Sequence, residues 1–241
     1  MRKSILSTMV TLVVAGSVTA CDVEQPDPGC VVQDASFATW WAKFDAVDQP
    51  TGTCADFEPL VGDELGVWKF SNPKAEPEPT SILVLRPLSL AALGQFDTDS
   101  TPEGFDKLQA TASLSSGKDA DQFCTSGEFS VAGVTADQGD YAAAPQTITY
   151  QFKNVKVYSA PSAPGTQMTG ELTYTNNGCT ANYVMRAVWP ATECDPTLDP
   201  NDEANFASTC GPGSGINPDF DLACDPDVGV CVPAKAIPSF K

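Results

Sequence analysis

Nine cysteines constrain this 241-residue chain more than any other feature, because each disulfide fixes which parts of a fold lie together. Zinc sites of the known patterns need a CxxC spacing or histidine partners, and the chain has neither. One cysteine, Cys21, stands apart near the N-terminus. The remaining even set predicts a disulfide framework formed in an oxidising compartment. Its members are Cys30, Cys54, Cys124, Cys179, Cys194, Cys210, Cys224 and Cys231.

The first 20 residues have the layout of a secretory signal peptide. Arg2 and Lys3 form a positive start, an apolar run covers residues 5–15, and small or β-branched residues follow up to residue 20. The apolar run is shorter than the roughly 20 residues that a transmembrane helix needs. The chain is therefore predicted to be exported, with no membrane-spanning helix.

The residues Val18-Thr19-Ala20-Cys21 resemble the bacterial lipobox, in which an aliphatic residue and two small ones precede a cysteine. The resemblance implies cleavage by signal peptidase II and acylation of Cys21, including a palmitate-type chain. Cys21 would then hold the protein on the lipid bilayer of the bacterial cell envelope. Asp22 resembles an inner-membrane retention signal of enteric bacteria, but other bacteria use other rules, so the sequence leaves inner and outer membrane open.

The chain is strongly acidic. It carries 13 Lys and Arg against 31 Asp and Glu, a net charge of −18 that becomes −20 once Arg2 and Lys3 leave with the signal peptide. Such a chain does not bind nucleic acid through phosphate contacts. Anionic headgroups would repel it as well, so membrane attachment depends on the anchor. An acidic, proline-bearing tether is expected over residues 21–33.

Residues 34–189 are predicted to form a mainly β domain with one N-terminal helix. The helix is indicated by Phe37, Trp40, Trp41, Phe44 and Val47, which follow the helical period. Strand-like patterns follow it, and they indicate an antiparallel β-sandwich or an up-and-down barrel. The predicted strands cover residues 64–70, 81–88, 107–114, 127–134 and 147–158, with a hairpin over 166–189.

Two details of these strands can be predicted. Asn177-Gly178 is the preferred pair for a two-residue type I′ turn, which places Tyr174 opposite Ala181 and Leu172 opposite Tyr183. In strand 147–158 the apolar residues change parity near Asn154, which predicts a β-bulge or a change of buried face.

Residues 190–241 are predicted to form an irregular C-terminal segment, held by disulfides and packed on the domain. Four cysteines lie between residues 194 and 231, among many prolines and aspartates. Eight cysteines allow 105 connectivities, and the sequence alone does not choose among them. The pairings that we favour are Cys224–Cys231 and Cys194–Cys210 as local pairs, Cys30–Cys54 flanking the predicted helix, and Cys124–Cys179 joining two strand ends.

The acidic residues of this segment are candidates for a calcium site, because Ca²⁺ takes six to eight oxygen ligands. The ordered aspartates of an EF-hand loop are absent, and most of these acids neighbour a proline in turn-like pairs. No metal or other cofactor is therefore predicted. The candidates are Asp195, Asp199, Asp202, Asp219 and Asp221.

Two segments look similar to cysteine-rich lipoproteins of myxobacteria, namely GELTYTNNGCTANYVMRAVWPATEC and CGPGSGINPDFDLACDPDVGVCV. The resemblance implies an envelope location and a related fold, and it implies no activity.

The residues favour a non-catalytic protein. The chain contains no histidine, which removes Ser-His-Asp and Cys-His mechanisms. We expect a binding or structural role in the cell envelope, with an envelope protein or an apolar ligand as partner. One alternative is a lipocalin-like carrier, with Tyr150, Phe152, Tyr183 and Met185 facing a barrel interior. A hydrolase that uses paired carboxylates is the other alternative.

Overall fold

The structure is a computed structural model of the protein. It describes residues 29–55, 57–74, 76, 80–98, 106–137 and 145–241. The predicted signal peptide, Cys21 and the tether up to residue 28 lie outside these residues. In the part of the chain that is described, no helix is both long and apolar enough to cross a bilayer.

A ten-stranded antiparallel sheet is the main element of the described chain, which confirms the mainly β prediction. One short helix, α1 (Leu88–Leu93), follows the fourth strand, and a separate C-terminal hairpin is formed by β11 (Leu222–Asp225) and β12 (Val230–Pro233). The strands of the large sheet are β1 (Trp40–Ala46), β2 (Thr51–Gly52), β3 (Gly62–Asn72), β4 (Thr80–Pro87), β5 (Ala110–Leu114), β6 (Phe123–Thr125), β7 (Ala132–Ala136), β8 (Gln146–Tyr158), β9 (Gln167–Asn176) and β10 (Cys179–Val188).

The sheet curls into a nearly closed barrel. Its strand order is β5-β4-β3-β1-β10-β9-β8-β6, with β7 also paired to β8 and β2 to β10. The first and last strands of this order, β5 and β6, meet and close the barrel. Leu114 forms a bridge with Ser126, and the Gly127 N–H donates to the Ser113 carbonyl at 2.8 Å. Closure of this kind removes most of the open strand edges through which sheets associate.

The barrel has two ends, which we call the N-terminal mouth and the helix mouth. The N-terminal mouth holds Cys30, the end of β3 and the start of β4. The helix mouth holds α1, the start of β3 and the turn between β9 and β10. Side chains alternate along each strand, so that one set fills the interior and the other covers the outside. The largest fully buried side chains of the barrel strands are Trp40, Tyr150, Tyr183, Phe152, Leu65, Leu83, Leu85, Met168, Leu172 and Met185.

The predicted hairpin and the predicted bulge are both confirmed. Strands β9 and β10 pair in the expected register, with Leu172 opposite Tyr183. Asn177 and Gly178 have φ values of +49° and +83°, as a type I′ turn requires. In β8 the register shifts between Lys153 and Lys156, and Asn154 has φ +50°. The bulge keeps the apolar residues on both of its sides inside the barrel.

The predicted N-terminal helix is wrong, because its central residues form strand β1. Trp40 and Phe44 are four residues apart, a spacing that one face of a helix and one face of a strand share. Burial decides between them: Trp40, Ala42 and Phe44 are buried while the residues between them are less so. Both edges of β1 are paired, one to β3 and the other to β10. The helix that does form, α1, has only six residues, too few to show a period.

The four predicted disulfide pairings are also wrong. The bonds are Cys30–Cys124, Cys54–Cys179, Cys194–Cys224 and Cys210–Cys231. Strand β1 runs the length of the barrel, so it carries Cys30 and Cys54 to opposite mouths and each bonds the cysteine that lies there. In the C-terminal segment Cys224 and Cys231 do face each other across the hairpin. Each sulfur nevertheless bonds a cysteine of a neighbouring loop.

The C-terminal segment contacts the outer face of β1 and β10. A second, smaller core forms there around Val188, Ile216 and Phe220. Charged groups flank it: Lys43 of β1 pairs with Asp225, and Arg186 of β10 donates to the Pro233 carbonyl at 2.6 Å. The outward polar residues of this sheet face are therefore partly covered.

We predict that the two classes of disulfide have separable effects. Cys54→Ala/Cys179→Ala should lower the free energy of unfolding of the barrel by about 2–5 kcal/mol, because this bond closes the longest loop. Cys194→Ala/Cys224→Ala should mainly make the C-terminal segment sensitive to protease. Urea unfolding followed by tryptophan fluorescence and limited proteolysis measure the two effects. Equal losses of barrel stability in both variants would contradict this prediction.

Candidate functional site

A buried polar cluster lies at the helix mouth. The Asp63 carboxylate, 7% exposed, accepts hydrogen bonds from the Ser89 hydroxyl at 2.5 Å and from the Tyr150 hydroxyl at 3.2 Å. The Ser89 backbone N–H also donates to Asp63 at 3.3 Å. The Ser89 and Tyr150 hydroxyl oxygens are 3.0 Å apart. Three residues that are far apart in the sequence thus form one network around a single carboxylate.

Strand geometry explains this arrangement. Asp63 has the same parity on β3 as Leu65 and Val67, so its side chain points into the barrel. Pro87 ends β4 and begins α1, and it supplies no side chain that caps the helix. The carboxylate of Asp63 takes that role by accepting from the N–H in the first turn of α1.

Burial changes the proton affinity of the cluster. Loss of solvation raises the pKa of Asp63 from 3.8 to about 6, although hydrogen bonds from Ser89 and Tyr150 favour the charged form. Burial, together with the Asp63 charge, raises the pKa of Tyr150 well above its usual value. Burial also raises the pKa of Tyr174, whose ring packs edge-on against Tyr150, to about 12. Of these groups, the aspartate exchanges its proton closest to neutral pH.

The chemistry of the cluster is that of a helix cap. A serine nucleophile needs a base to take its proton and donors to stabilise an oxyanion. The Ser89 hydroxyl instead donates to the Asp63 carboxylate, which also accepts a hydrogen bond from the Ser89 backbone N–H. These contacts fix α1 over the mouth, where Leu90 and Leu93 are buried in the barrel core.

One cleft lies on the barrel wall. It has a volume of about 570 Å³ and lies between residues 126–129 and 151–154. Strand β8 pairs with β7 up to Tyr150 and with β6 from Lys156, so the wall opens between these two pairings. The Gln151 side chain spans the opening and donates to the Phe129 carbonyl at 2.9 Å. The cleft is open and of mixed polarity, unlike the apolar interior that a carrier requires.

The five candidate calcium ligands do not converge. Asp195 accepts from Thr197, Asp199 from Asn201 and Asp202 from Ala204, each two residues ahead. Asp221 pairs with Lys235 at 3.0 Å, and the Asp219 carbonyl accepts from the Lys241 N–H. Local turns account for Asp195, Asp199 and Asp202, and an ion pair accounts for Asp221.

One group of three potential metal ligands is found among the described residues, and it consists of cysteines. The sulfurs of Cys194, Cys210 and Cys224 lie within 4.8 Å of one another. All three are in disulfides, and a disulfide sulfur is not the thiolate that binds a metal. The grouping therefore reflects two disulfides packed side by side, so each cysteine of this segment has more than one sulfur nearby and closeness in the sequence does not identify its partner.

The Asp63 cluster is not apparent from the predicted strands. Tyr150 was expected to face inward, but the strand containing Asp63 was predicted to begin one residue after it. Leu65 and Val67 lie at alternate positions of the strand, and the same alternation, continued two residues toward the N-terminus, places Asp63 inside the barrel. This alternation is the sequence pattern that could have identified Asp63. Ser89 was not identifiable, since a six-residue helix leaves no periodic pattern.

We predict that Asp63 makes stability fall as pH rises. The folded chain binds the Asp63 proton more tightly than the unfolded chain does, so stability declines between about pH 4 and pH 6 by about 3 kcal/mol and is level above that. Asp63→Asn should remove this decline, because an amide keeps the acceptor for Ser89 and does not ionise. Urea unfolding across this pH range measures the effect.

The matched control is Asp48→Asn, which changes an exposed carboxylate near the same mouth. This control should keep the decline of the wild-type protein. An unchanged decline in Asp63→Asn would show that the buried carboxylate does not titrate in this range.

Comparison with known proteins identifies relatives of this fold. A model of the MlpA family matches residues 38–190, which include the barrel strands β1–β10. A protein of Myxococcus xanthus named "Putative lipoprotein MlpA" is 44% identical over 251 aligned positions, covering 100% of both chains. No solved structure matches the chain. The full-length similarity agrees with the resemblance to myxobacterial lipoproteins seen in the sequence, and the chain belongs to the MlpA family of lipoproteins.

Proposed function

We propose that this lipoprotein is anchored in the cell envelope through acylated Cys21, and that its barrel has a non-catalytic binding or structural role. The observation that carries the anchoring proposal is the use of the cysteines. Four disulfides consume all eight cysteines after residue 29, so Cys21 is the one left over. It is also the cysteine that ends the lipobox-like segment.

The physical chemistry of the chain fits such an anchor. Acyl chains bind membranes through buried CH₂ groups, each adding about 0.8 kcal/mol, and two or more chains give stable attachment. The protein itself is acidic and is repelled by anionic lipids. The acyl chains therefore supply the attraction to the membrane, whereas the negative charge of the folded domain opposes membrane binding.

The interior of the barrel supports a non-catalytic role. Fully buried side chains such as Trp40, Phe152 and Met185 occupy the space in which a lipocalin-like carrier would hold its ligand. At the helix mouth, Leu60 closes over the interior and its N–H donates to the Tyr183 hydroxyl at 3.1 Å. The buried carboxylate of Asp63 serves as a helix cap. These features favour binding at the outer surface over transport of an apolar ligand or carboxylate-based hydrolysis.

We predict that Cys21→Ser abolishes lipidation. Cells grown with an alkyne analogue of palmitate should label the wild-type chain and leave the variant unlabelled, because the sulfur is the site of acylation. Membrane fractionation of the same cells should show loss of the variant from the envelope membranes and should identify which membrane holds the wild type. Thr19→Ala keeps a small residue before the cysteine and should label normally. Equal labelling of wild type and Cys21→Ser would reject the anchor.

The binding role needs its own experiment. Cross-linking in intact cells, followed by identification of the captured proteins, should recover specific envelope proteins with the wild type. Those partners should be lost with Cys21→Ser, since an unanchored chain leaves the membrane surface. Recovery of no envelope protein by the correctly lipidated wild type would reject the protein-binding role.

A further inference from the structure

The outer face of β3 and β4 carries a pair of large apolar side chains at the N-terminal mouth. Phe70 and Ile82 lie directly opposite each other in the sheet, 60% and 48% exposed. Both alternate with interior residues, so they point away from the barrel core. Single exposed apolar residues are ordinary on protein surfaces, whereas clustered ones mark contact surfaces.

One further aromatic residue lies on the same face of β3, and another lies on a turn that is hydrogen-bonded to β3. Trp68 lies on the same outer face of β3, opposite Val84, and its ring packs over Gly66, which has no side chain to obstruct it. Phe37 is 90% exposed on the turn before β1. That turn is held to β3, because the Ala35 N–H donates to the Val67 carbonyl at 2.8 Å. We call Phe37, Trp68, Phe70 and Ile82 the Phe70 surface.

The Phe70 surface lies beside the point where the described chain begins. Lys69, the neighbour of Phe70, donates to the Cys30 carbonyl. Ser81, the neighbour of Ile82, is paired with Leu114, and the Cys30 sulfur lies 3.5 Å from the hydroxyl of the next residue, Ser115. Cys30 therefore lies next to both strands that carry the exposed pair.

The length of chain before this point limits its distance from the anchor. Eight residues lead from Cys21 to Gly29, and even a fully extended chain of that length spans at most about 29 Å. An acylated Cys21 thus keeps the start of the described chain, at the N-terminal mouth, within about 29 Å of the anchored residue. Confinement of this kind gives a weak second contact a high effective concentration.

We propose that the Phe70 surface docks on the phospholipid bilayer that holds the acyl chains of Cys21. This inference rests on the proposed lipid anchor. Aromatic and large aliphatic side chains enter the interface between headgroups and acyl chains, and such contacts strengthen an acyl anchor. Residues close in sequence to the Phe70 surface carry charges of both signs, including Lys69, Lys74 and Asp34. Because these charges give no uniformly positive patch, the proposed contact is apolar and does not need anionic lipid. Docking directs the helix mouth and the Asp63 cluster away from the membrane.

Trp68 provides an intrinsic probe for the test. The full lipidated protein is reconstituted into vesicles of phosphatidylcholine, with and without brominated acyl chains, which quench tryptophans that enter the bilayer. The wild type should be quenched, and the part of the quenching that Trp68→Phe removes reports on Trp68, since the chain also holds the fully buried Trp40 and the partly buried Trp41 and Trp189. Phe70→Ser/Ile82→Ser should also lose it, while remaining bound to the vesicles through the acyl chains.

The matched control is Val47→Ser. Val47 is 62% exposed, as Phe70 is, but it follows β1 at the helix mouth. This variant should be quenched like the wild type. Circular dichroism and disulfide mapping establish that each variant is folded.

The outcomes separate the two proposals. A wild-type chain that does not float with the vesicles lacks the anchor, and both proposals then fail. A chain that floats with the vesicles while Trp68 stays unquenched keeps the anchor and overturns the docking. Quenching that survives in Phe70→Ser/Ile82→Ser assigns the contact to another surface and also overturns it. Self-association through the Phe70 surface, detected by cross-linking in the vesicles without quenching, would identify a second copy as its occupant.

Discussion

The pairing of strand β8 along both of its edges is the interaction on which the barrel depends. One edge of β8 is bonded to β9, and the other is shared between β7 near its start and β6 near its end. In a regular strand of 13 residues, side chains of one parity would point inward along the whole length, and the apolar residues of β8 change parity at its middle. The bulge at Asn154 adds one residue, so that Ile148 to Phe152 and Val155 to Val157 both supply interior side chains. The wall cleft beside Gln151 lies where the strand changes from one partner to the next.

Local patterns predicted the parts of the fold that local chemistry controls. Asn177-Gly178 fixed the register of β9 and β10, because few residue pairs adopt two successive positive φ values. The parity change at Asn154 is likewise visible in eight consecutive residues. The pattern around Trp40 failed because its spacing suits a helix and a strand equally, and the choice depends on β3 and β10, which are distant in the sequence. Tertiary pairing overrides such weak local preferences.

The Asp63 cluster was hidden from the sequence for a related reason. Its carboxylate, hydroxyls and amide come from β3, α1 and β8, and only the closed barrel brings them together. A charged residue at an interior position is costly unless it is hydrogen-bonded, so the cluster exists because the first turn of α1 needs an acceptor there. The C-terminal segment shows the same dependence. Its Asp225 is one of many acids in the sequence, and only the packing of β12 on β1 and β10 selects it as the partner of Lys43.

The connectivity of the disulfides has a consequence for the biogenesis of the protein. Numbered in order along the described chain, the cysteines bond first to third, second to fourth, fifth to seventh and sixth to eighth. No native bond joins two neighbours. An oxidase that joined cysteines in their order of emergence from the translocation channel would form Cys30–Cys54 before Cys124 was available. The native framework thus requires either delayed oxidation, after the barrel strands have paired, or exchange of early bonds by a disulfide isomerase. In the exported and anchored chain that we propose, maturation is therefore coupled to the reshuffling of disulfides as well as to their formation.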